Sequence, residues 1–280
     1  MKKGRQASVQ FDEIGYWSEV KLDIVKEYAT AYSTILSAQK NLYHVYVDAF
    51  AGAGVHISKI SRQPVAGSPL NALVITPPFR EFHLVDLDSE KIDVLKQIVG
   101  QRTNVYLYTG DCNKVLLKDI FPKIKYEGYR RGLCLLDPYG LHLNWEVIAT
   151  AGQMKSIDMF LNFPIMDMNR NALWKNPDKV SELGVKRMNA FWGDDSWRNI
   201  AYTAERNLFG LQEKEDNEVI VNGFQKRLKE VAGFKHVARP IPMRNKTGAE
   251  VYYLFFASQK AVASDIVKDI FDKYRTRGAR

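Results

Sequence analysis

The residues of this chain best suited to chemistry are aspartates that follow short apolar runs typical of buried strands. Four such runs end in acids, which are Asp48, Asp86, Asp111 and Asp137. A carboxylate in this place can accept hydrogen bonds from hydroxyls or amines of a ligand. Capping of the next helix is the usual explanation of a single aspartate after a strand. Four acids at equivalent positions favour a binding site.

The last of these acids opens the tetrapeptide Asp137-Pro138-Tyr139-Gly140, which is the predicted catalytic element. An aromatic exocyclic amine is a poor nucleophile because its lone pair is delocalised into the ring. A carboxylate and a neighbouring backbone carbonyl that both accept from the amine favour the pyramidal nitrogen of a transition state. Pro138 would hold the carbonyls rigidly, and Tyr139 would stack on a planar base. The alternative is an ordinary turn that contains proline.

A turn made almost wholly of alanine and glycine follows the first predicted strand, at 48–54. Gly52 and Gly54 let the backbone approach a ligand closely, because no Cβ stands in the way. A dinucleotide fingerprint needs a third glycine three residues later, where this chain has Ile57. The turn therefore indicates a nucleotide-binding α/β domain while departing from the NAD pattern.

The elements that must position these residues alternate along the chain. The spacing predicts five strands, each followed by a helix or a turn, at 44–50, 81–86, 104–109, 132–136 and 157–162. Several of them are apolar on both faces, which is typical of a parallel sheet covered by helices. Two further strands, 234–243 and 251–257, predict a hairpin, and a last helix covers 260–274. A parallel sheet closed by an antiparallel hairpin is the order of a Rossmann-like, S-adenosylmethionine-dependent methyltransferase.

That cofactor would give three residues a role at its nucleoside end. Asp86 would accept both ribose hydroxyls, as the acid after the second strand does in nucleotide sites. Asp111 would accept from the exocyclic adenine amine, and the backbone N–H of Cys112 would donate to a ring nitrogen.

The amino-acid end of the cofactor would lie against the small-residue turn. Gly52 and Gly54 would let the backbone reach it. Ser68 is the predicted N-cap of a helix with Pro69 at its first position, and it would bond the carboxylate of the ligand. Asp48 would either contact the ligand or anchor the turn.

A helix over 18–37 is predicted from apolar residues at three- and four-residue steps, with Ser18 as N-cap. Trp17 and Lys21 lie at its start. Either this helix covers the nucleotide pocket and both residues contact the cofactor, or Trp17 packs on the core and Lys21 is solvated. Residues 55–67 are predicted as a long loop.

Residues 165–218 interrupt the alternation and predict a mostly helical insertion within a single domain of 1–280. They contain Trp174, Trp192 and Trp197. These aromatic side chains would either face a substrate or pack the insertion against the sheet, and the second interpretation is favoured because aromatic residues dominate cores.

Composition limits the class of protein. Of 280 residues, 46% are hydrophobic and 26% charged, and the net charge is +8. A basic surface suits a polyanionic partner, although a plain soluble protein fits as well. The two cysteines offer no metal spacing and no disulfide framework, which fits a cytoplasmic protein. No secretion signal follows the N-terminus, and the longest apolar run is too short to span a membrane.

Several motifs together resemble the three-Cys-motif partner protein family. They are Trp17-Ser18-Glu19-Val20-Lys21, Asp48-Ala49-Phe50-Ala51-Gly52-Ala53-Gly54, Gly67-Ser68-Pro69, Asp137-Pro138-Tyr139-Gly140 and Asn162-Phe163-Pro164. The resemblance covers most of the chain. It implies a Rossmann-type methyltransferase, and it implies a neighbouring protein with a three-cysteine motif as a possible partner.

The motif order is also similar to that of bacterial 23S rRNA adenine-N6 methyltransferases. That similarity implies a catalytic Asp137 and a cofactor site lined by Phe50, Ser68, Asp86, Asp111 and Cys112. Two positions depart from the pattern. The family has Asp-Pro-Pro-Tyr where this chain has Asp137-Pro138-Tyr139-Gly140, so Tyr139 comes one residue early, and Phe50 replaces a histidine.

The sequence thus predicts a methyltransferase that acts on an exocyclic amine of a nucleic-acid base, RNA or DNA adenine. The first alternative is a partner subunit that keeps the fold and works by binding another protein. The second is an NAD-dependent oxidoreductase, against which the missing third glycine and the acids at the strand ends both argue.

Overall fold

A computed structural model describes residues 11–206 and 212–277 as a central eight-stranded sheet with helices on both faces. The strands are β1 (Glu13–Ile14), β2 (Tyr43–Asp48), β3 (Val55–Ser58), β4 (Pro64–Ala66), β5 (Glu81–Asp86), β6 (Val105–Thr109), β7 (Arg130–Leu136), β8 (Ile157–Phe163), β9 (Tyr202–Arg206), β10 (Gln212–Lys214), β11 (His236–Val237), β12 (Ile241–Arg244) and β13 (Glu250–Ser258). The helices are α1 (Tyr16–Ser37), α2 (Ser68–Leu73), α3 (Ser89–Val99), α4 (Cys112–Val115), α5 (Trp145–Met154), α6 (Ile165–Asn171), α7 (Glu182–Trp192), α8 (Trp197–Ala201), α9 (Asn217–Glu230) and α10 (Ala261–Arg277). The segment for which no secretion signal was predicted, 1–10, lies outside these residues.

The main sheet has the strand order β6-β5-β2-β7-β8-β13, with β11 and β12 both paired to β13. The five strands from β6 to β8 are parallel, and β13 runs antiparallel to β8. This confirms the predicted parallel sheet with an antiparallel C-terminal hairpin. Its five parallel strands share the order 3-2-1-4-5 with the two-half dinucleotide fold, and the difference is that the strand beside β8 is the antiparallel β13 and not a sixth parallel strand.

Side chains of the central strands alternate between two apolar layers, as the two-residue period of a strand requires. Val45, Val47 and Cys134 point into the layer that α5, α7 and α9 cover. Tyr46, Leu133 and other residues point into the layer under α1, α2, α3 and α10. Because both faces are buried, the strands read as continuous apolar runs, and this is why they were predictable.

Two helix starts and one loop differ from prediction. Helix α1 begins at Tyr16 and not after Ser18, because the Gly15 carbonyl already accepts from the N–H groups of the first turn. Helix α2 begins at Ser68 itself, with Gly67 as its N-cap.

The segment predicted as a long loop, 55–67, instead forms the antiparallel pair β3–β4, and β1 runs parallel to β3. Arg62 sits at the turn with φ of 59°, a conformation usually signalled by glycine. The hairpin therefore lacked the sequence mark of a turn.

The predicted insertion, 165–218, contains α6, α7 and α8 and also a two-stranded ribbon, β9–β10, that was not predicted. Its residues 207–211 lie outside the described chain. Trp192 and Trp197 are fully buried, whereas Trp174 is half-exposed. Packing against the core is therefore the correct interpretation for the two buried tryptophans. The division into one domain with an insertion stays a prediction.

Over the described part of the chain, no helix has both the length and the apolar character needed to cross a bilayer.

Candidate active site

The four predicted acids lie along one edge of the sheet. Asp48 and Asp86 are the last residues of β2 and β5, Asp137 directly follows β7, and Asp111 stands two residues beyond β6. These strands are parallel, so their carboxyl ends meet at the same edge. Strand order reverses at β2, which lies between β5 and β7. In open α/β sheets, ligands bind in the crevice at such a reversal.

The turn after β2 presents backbone to open space at one glycine and packs tightly at the other. Gly52 has φ of 61°, and a Cβ added there would meet no atom within 4 Å. Gly54 has φ of 82°, and an added Cβ would lie 2.8 Å from Leu95 Cδ1. Gly52 therefore leaves room for a ligand, whereas close packing on α3 explains Gly54.

Asp86 joins this turn to the neighbouring strand. Its Oδ2 accepts from the N–H of Gly52 at 2.8 Å, and its Oδ1 accepts from the N–H of Asp88 at 2.9 Å. Each carboxylate oxygen has a second lone pair, so the side chain can still accept from ligand hydroxyls.

Asp111 caps helix α4, so the usual structural explanation of an acid after a strand applies to it. Its Oδ1 accepts from the backbone N–H and the side-chain amide of Asn113, both at 2.9 Å. The residue is nevertheless exposed, with acceptor capacity left over. Burial raises the pKa of the adjacent Cys112 thiol to about 12, so this sulfur stays protonated and unreactive.

Asp48 anchors the turn from beneath. It is fully buried, its Oδ1 accepts from the N–H of Phe50 at 3.2 Å, and the Tyr46 hydroxyl lies 3.4 Å from its Oδ2. The Ser68 hydroxyl also bonds it. Of the two predicted roles for Asp48, anchoring is the one these contacts favour.

The pKa of Asp48 depends on the charges of two of the other acids. Burial raises its pKa to about 7, although hydrogen bonds from Ser68 and the Phe50 amide act in the opposite direction. The charges of Asp137 and Asp86 raise it further. Both carboxylates therefore lie within electrostatic reach of Asp48, as expected for one cleft.

Asp137 is held by a lysine from the first helix. The ammonium of Lys21 forms an ion pair with Asp137 Oδ2, and the two side chains are 9% and 26% exposed. Burial alone would lower the pKa of Lys21, but the charge of Asp137, its hydrogen bond, and the charges of Tyr252 and Tyr139 together outweigh burial, and the pKa lies above its ordinary value. The ammonium also lies 5.3 Å from the ring centroid of Tyr252. The expectation of a solvated Lys21 is therefore wrong, and its contact is with the predicted catalytic acid.

In the rest of the tetrapeptide, the Pro138 carbonyl accepts a hydrogen bond and the Tyr139 side chain is exposed. The side-chain amide of Asn162, near the end of β8, donates to the Pro138 carbonyl at 3.3 Å. Tyr139 is 78% exposed, and its hydroxyl donates to Asp12 at 3.2 Å. An exposed ring is compatible with the predicted stacking role, which stays a prediction.

Three residues near this edge were missed as candidate site residues. Asn162 belongs to the motif Asn162-Phe163-Pro164 and lies next to the last residue of β8, at the same edge of the sheet, which could have indicated it. Asp12 accepts from the Lys91 ammonium at 2.6 Å, and its charge, like those of Lys21 and Asp137, acts on the half-buried His56 ring. No local pattern marks Asp12 or His56, because only β1 and β3 bring them here.

These residues fit a nucleoside with an amino-acid tail. Open space at Gly52 accepts a ligand against backbone, and Asp86 and Asp111 supply acceptors for hydroxyls and an amine. Trp17 is partly buried against the core beside the site, which is the structural interpretation predicted for it, and Phe50 is also half-buried.

Comparison with known proteins gives structural similarity alone. No family model matches the chain, and no curated protein sequence matches it. Protein LPL1258 from Legionella pneumophila has a TM-score of 0.56 at 11% identity, over 91% of each chain. A putative S-adenosylmethionine-dependent methyltransferase from Listeria monocytogenes is 13% identical, with a TM-score of 0.42 over 86% of this chain and 99% of its own. A methyltransferase of the same cofactor class from Leishmania major is 11% identical, with a TM-score of 0.38 over 86% and 82%.

The first of these similarities shows a shared fold, and the other two are too distant to support an argument. Membership of the three-Cys-motif partner family and kinship with 23S rRNA methyltransferases stay predictions. Strand order, the antiparallel β13 and the helical layers agree with the predicted class. The chain has a Rossmann-like α/β fold, with the parallel sheet and the antiparallel closing strand that were predicted.

Proposed function

We propose that this protein is an S-adenosylmethionine-dependent methyltransferase that acts on an exocyclic amine of a nucleic-acid base, RNA or DNA adenine. One observation carries the proposal. The Asp137 carboxylate and the Pro138 carbonyl stand together at the end of β7, each held by a side chain from another element. They lie beside the open Gly52 turn, where the strand order reverses.

The residues that would hold the cofactor lie on three neighbouring strand ends. They are Phe50, Gly52, Ser68, Asp86, Asp111 and Cys112. The cofactor, when bound, supplies a methyl group on a positively charged sulfur. Gly54 and Asp48 support this site through packing and hydrogen bonds, and Trp17 and Lys21 cover it from α1.

The chain's own residues would act by orienting the amine. Lys21 holds Oδ2 of Asp137, which leaves Oδ1 to accept one N–H of the amine. The Pro138 carbonyl, fixed by Asn162, would accept the other. Both contacts favour a pyramidal nitrogen with its lone pair directed at the methyl carbon, and they strengthen as positive charge develops on that nitrogen. Tyr139 would stack on the base and fix its plane.

A methyl-transfer assay tests the proposal directly. Tritiated methyl groups should pass from S-adenosylmethionine to an RNA or DNA fraction, and S-adenosylhomocysteine should bind in isothermal titration calorimetry. Asp137→Asn should abolish transfer and preserve cofactor binding, whereas Asp269→Asn on the exposed face of α10 should change neither.

Two outcomes would contradict it. Absence of S-adenosylhomocysteine binding at high concentration would falsify the cofactor assignment. Binding without transfer to any nucleic-acid fraction would instead favour the alternative of a non-catalytic subunit, for which a protein with a three-cysteine motif is the candidate partner.

A further inference from the structure

A long groove opens beside the catalytic edge. Its volume is about 1230 Å³. One wall is the start of α1 together with the turn between β3 and β4. The other wall is the hairpin β12–β13 and the chain before it. None of the predicted cofactor residues on the strand ends lines it, and Trp17 is the single residue common to both.

The groove carries an excess of positive charge. Its ionisable side chains other than tyrosine are Lys59, Glu218, Arg239, Arg244, Lys246, Glu250 and Arg275. Glu250 pairs with Arg244 at 2.9 Å, and Glu218 lies 3.9 Å from Arg239. Lys59 and Lys246 are exposed and form no ion pair within 11–206 and 212–277. These two ammonium groups, on opposite walls, are free to meet an anion.

An aromatic side chain lines the same groove as these charges. Tyr16 is 43% exposed, and its ring packs edge-on against Trp17 with centroids 5.4 Å apart. The contact restrains the tyrosine ring while leaving part of it in solvent. An exposed ring in a groove that also presents cations is the arrangement on which unpaired bases stack, because every base offers a π-face.

The groove reaches the catalytic acid through direct contacts. Tyr252 lines it and donates its hydroxyl to the backbone carbonyl of Trp17 at 3.2 Å. The same ring lies under the Lys21 ammonium, which is paired with Asp137. A base held at Asp137 would therefore have its own strand next to the groove.

We propose that this groove binds a single-stranded nucleic-acid segment on one side of the target base, a proposal that rests on the function proposed above. Lys59 and Lys246 contact phosphates, and Tyr16 stacks on an unpaired base. A single strand is favoured because a base in a duplex must first be flipped out of the stack, at a cost of about a few kcal/mol, before it can reach Asp137. The shared chemistry is a phosphodiester backbone with unpaired bases, from RNA or DNA.

Oligonucleotide binding tests the groove without turnover. Fluorescence anisotropy with a labelled single strand of mixed sequence, as RNA and as DNA, gives the affinity at several salt concentrations. Lys59→Gln/Lys246→Gln should flatten the slope of log affinity against log salt by about 1.4, since each single-strand phosphate contact contributes roughly 0.7. Lys40→Gln/Lys96→Gln removes the same charge from exposed positions outside the groove and should leave the slope unchanged. Tyr16→Ala should weaken binding about 5- to 150-fold.

The outcomes separate the groove from the cofactor site. Three results would overturn the groove proposal: tighter binding of the matching duplex, equal salt slopes for both lysine pairs, or no oligonucleotide binding. The proposed function would still stand if S-adenosylhomocysteine binding and methyl transfer were intact. If the salt slopes are as predicted but S-adenosylhomocysteine does not bind, the groove would bind nucleic acid as proposed and the methyltransferase proposal would fail. A preference for RNA or DNA identifies the source of the strand.

Discussion

The ion pair between Lys21 and Asp137 allows a quantitative test of the site. Two unit charges about 4 Å apart attract by roughly 4 kcal/mol at an effective dielectric constant of about 20. Removing one partner of a buried pair costs about 3–5 kcal/mol, because the other charge stays desolvated. Asp137 is 26% exposed and can regain water, so Lys21→Met should cost about 3 kcal/mol. Lys21 is 9% exposed, so Asp137→Asn should cost about 5 kcal/mol.

The double variant Lys21→Met/Asp137→Asn should recover most of this loss. Methionine keeps an apolar stem of similar length, and neither position then holds a charge. We expect its free energy of unfolding to lie within about 2 kcal/mol of the original chain, as charge-free replacements of buried pairs often do. Urea denaturation at pH 7 gives all four values and the coupling energy of the cycle.

A control cycle and an activity measurement complete the experiment. Lys268 and Asp272 form an exposed pair at 3.0 Å on α10, where no measurable coupling is expected. If the stability losses of Lys21→Met and Asp137→Asn simply add in the double variant, the ion pair between Lys21 and Asp137 would be refuted. A double variant that is stable, binds S-adenosylhomocysteine and transfers no methyl group would separate the catalytic role of Asp137 from its contribution to folding.

Three further predictions follow from the site. Folded Asp48 keeps its proton up to about pH 7, whereas the unfolded chain loses it near pH 4. The contribution of Asp48 to the free energy of unfolding is therefore fully present below about pH 4 and is lost as the pH rises to about 7. Asp48→Asn should remove this part of the pH dependence of Tm. Gly52→Ala and Gly100→Ala each place an alanine at positive φ, 61° and 62°, and each should cost at least about 1 kcal/mol, but only Gly52→Ala should weaken S-adenosylhomocysteine binding in calorimetry. Tyr139→Phe keeps the ring and loses only the hydrogen bond to the partly exposed Asp12, so the rate of methyl transfer should fall by less than about threefold. Tyr139→Ala removes the ring and should raise KM for an oligonucleotide about 5-fold or more.

Elements with strong local patterns were predictable from the sequence. Strand β5 begins and ends at the predicted residues, 81–86, because its buried apolar side chains stand between acidic residues at both ends. The order of these elements was sufficient to place the acids at one edge, since parallel connections put every carboxyl end on the same side.

Contacts between distant segments were not predictable in the same way. Lys21 on an amphipathic helix looks solvated by its spacing, and its partner lies 116 residues away in the chain. The strand β1 has two residues and forms only because β3 is already in place beside it. Asp111 shows a different limit, because capping and ligand binding call for the same residue type at the same position.

Helix α1 connects the proposed groove with Asp137. Its first turn carries Tyr16 and the groove wall, its next turn carries Lys21, and Glu19 between them accepts from the Ser58 hydroxyl of β3 at 2.6 Å. Further along, Tyr28 packs on the sheet, with its ring 4.7 Å from that of Phe256. One helix held at Glu19 and at Tyr28 would therefore set the distance from the proposed groove to Asp137. A base stacked in the groove and a base presented to Asp137 would keep a constant spacing along the same strand, because no hinge lies between the residues that would hold them.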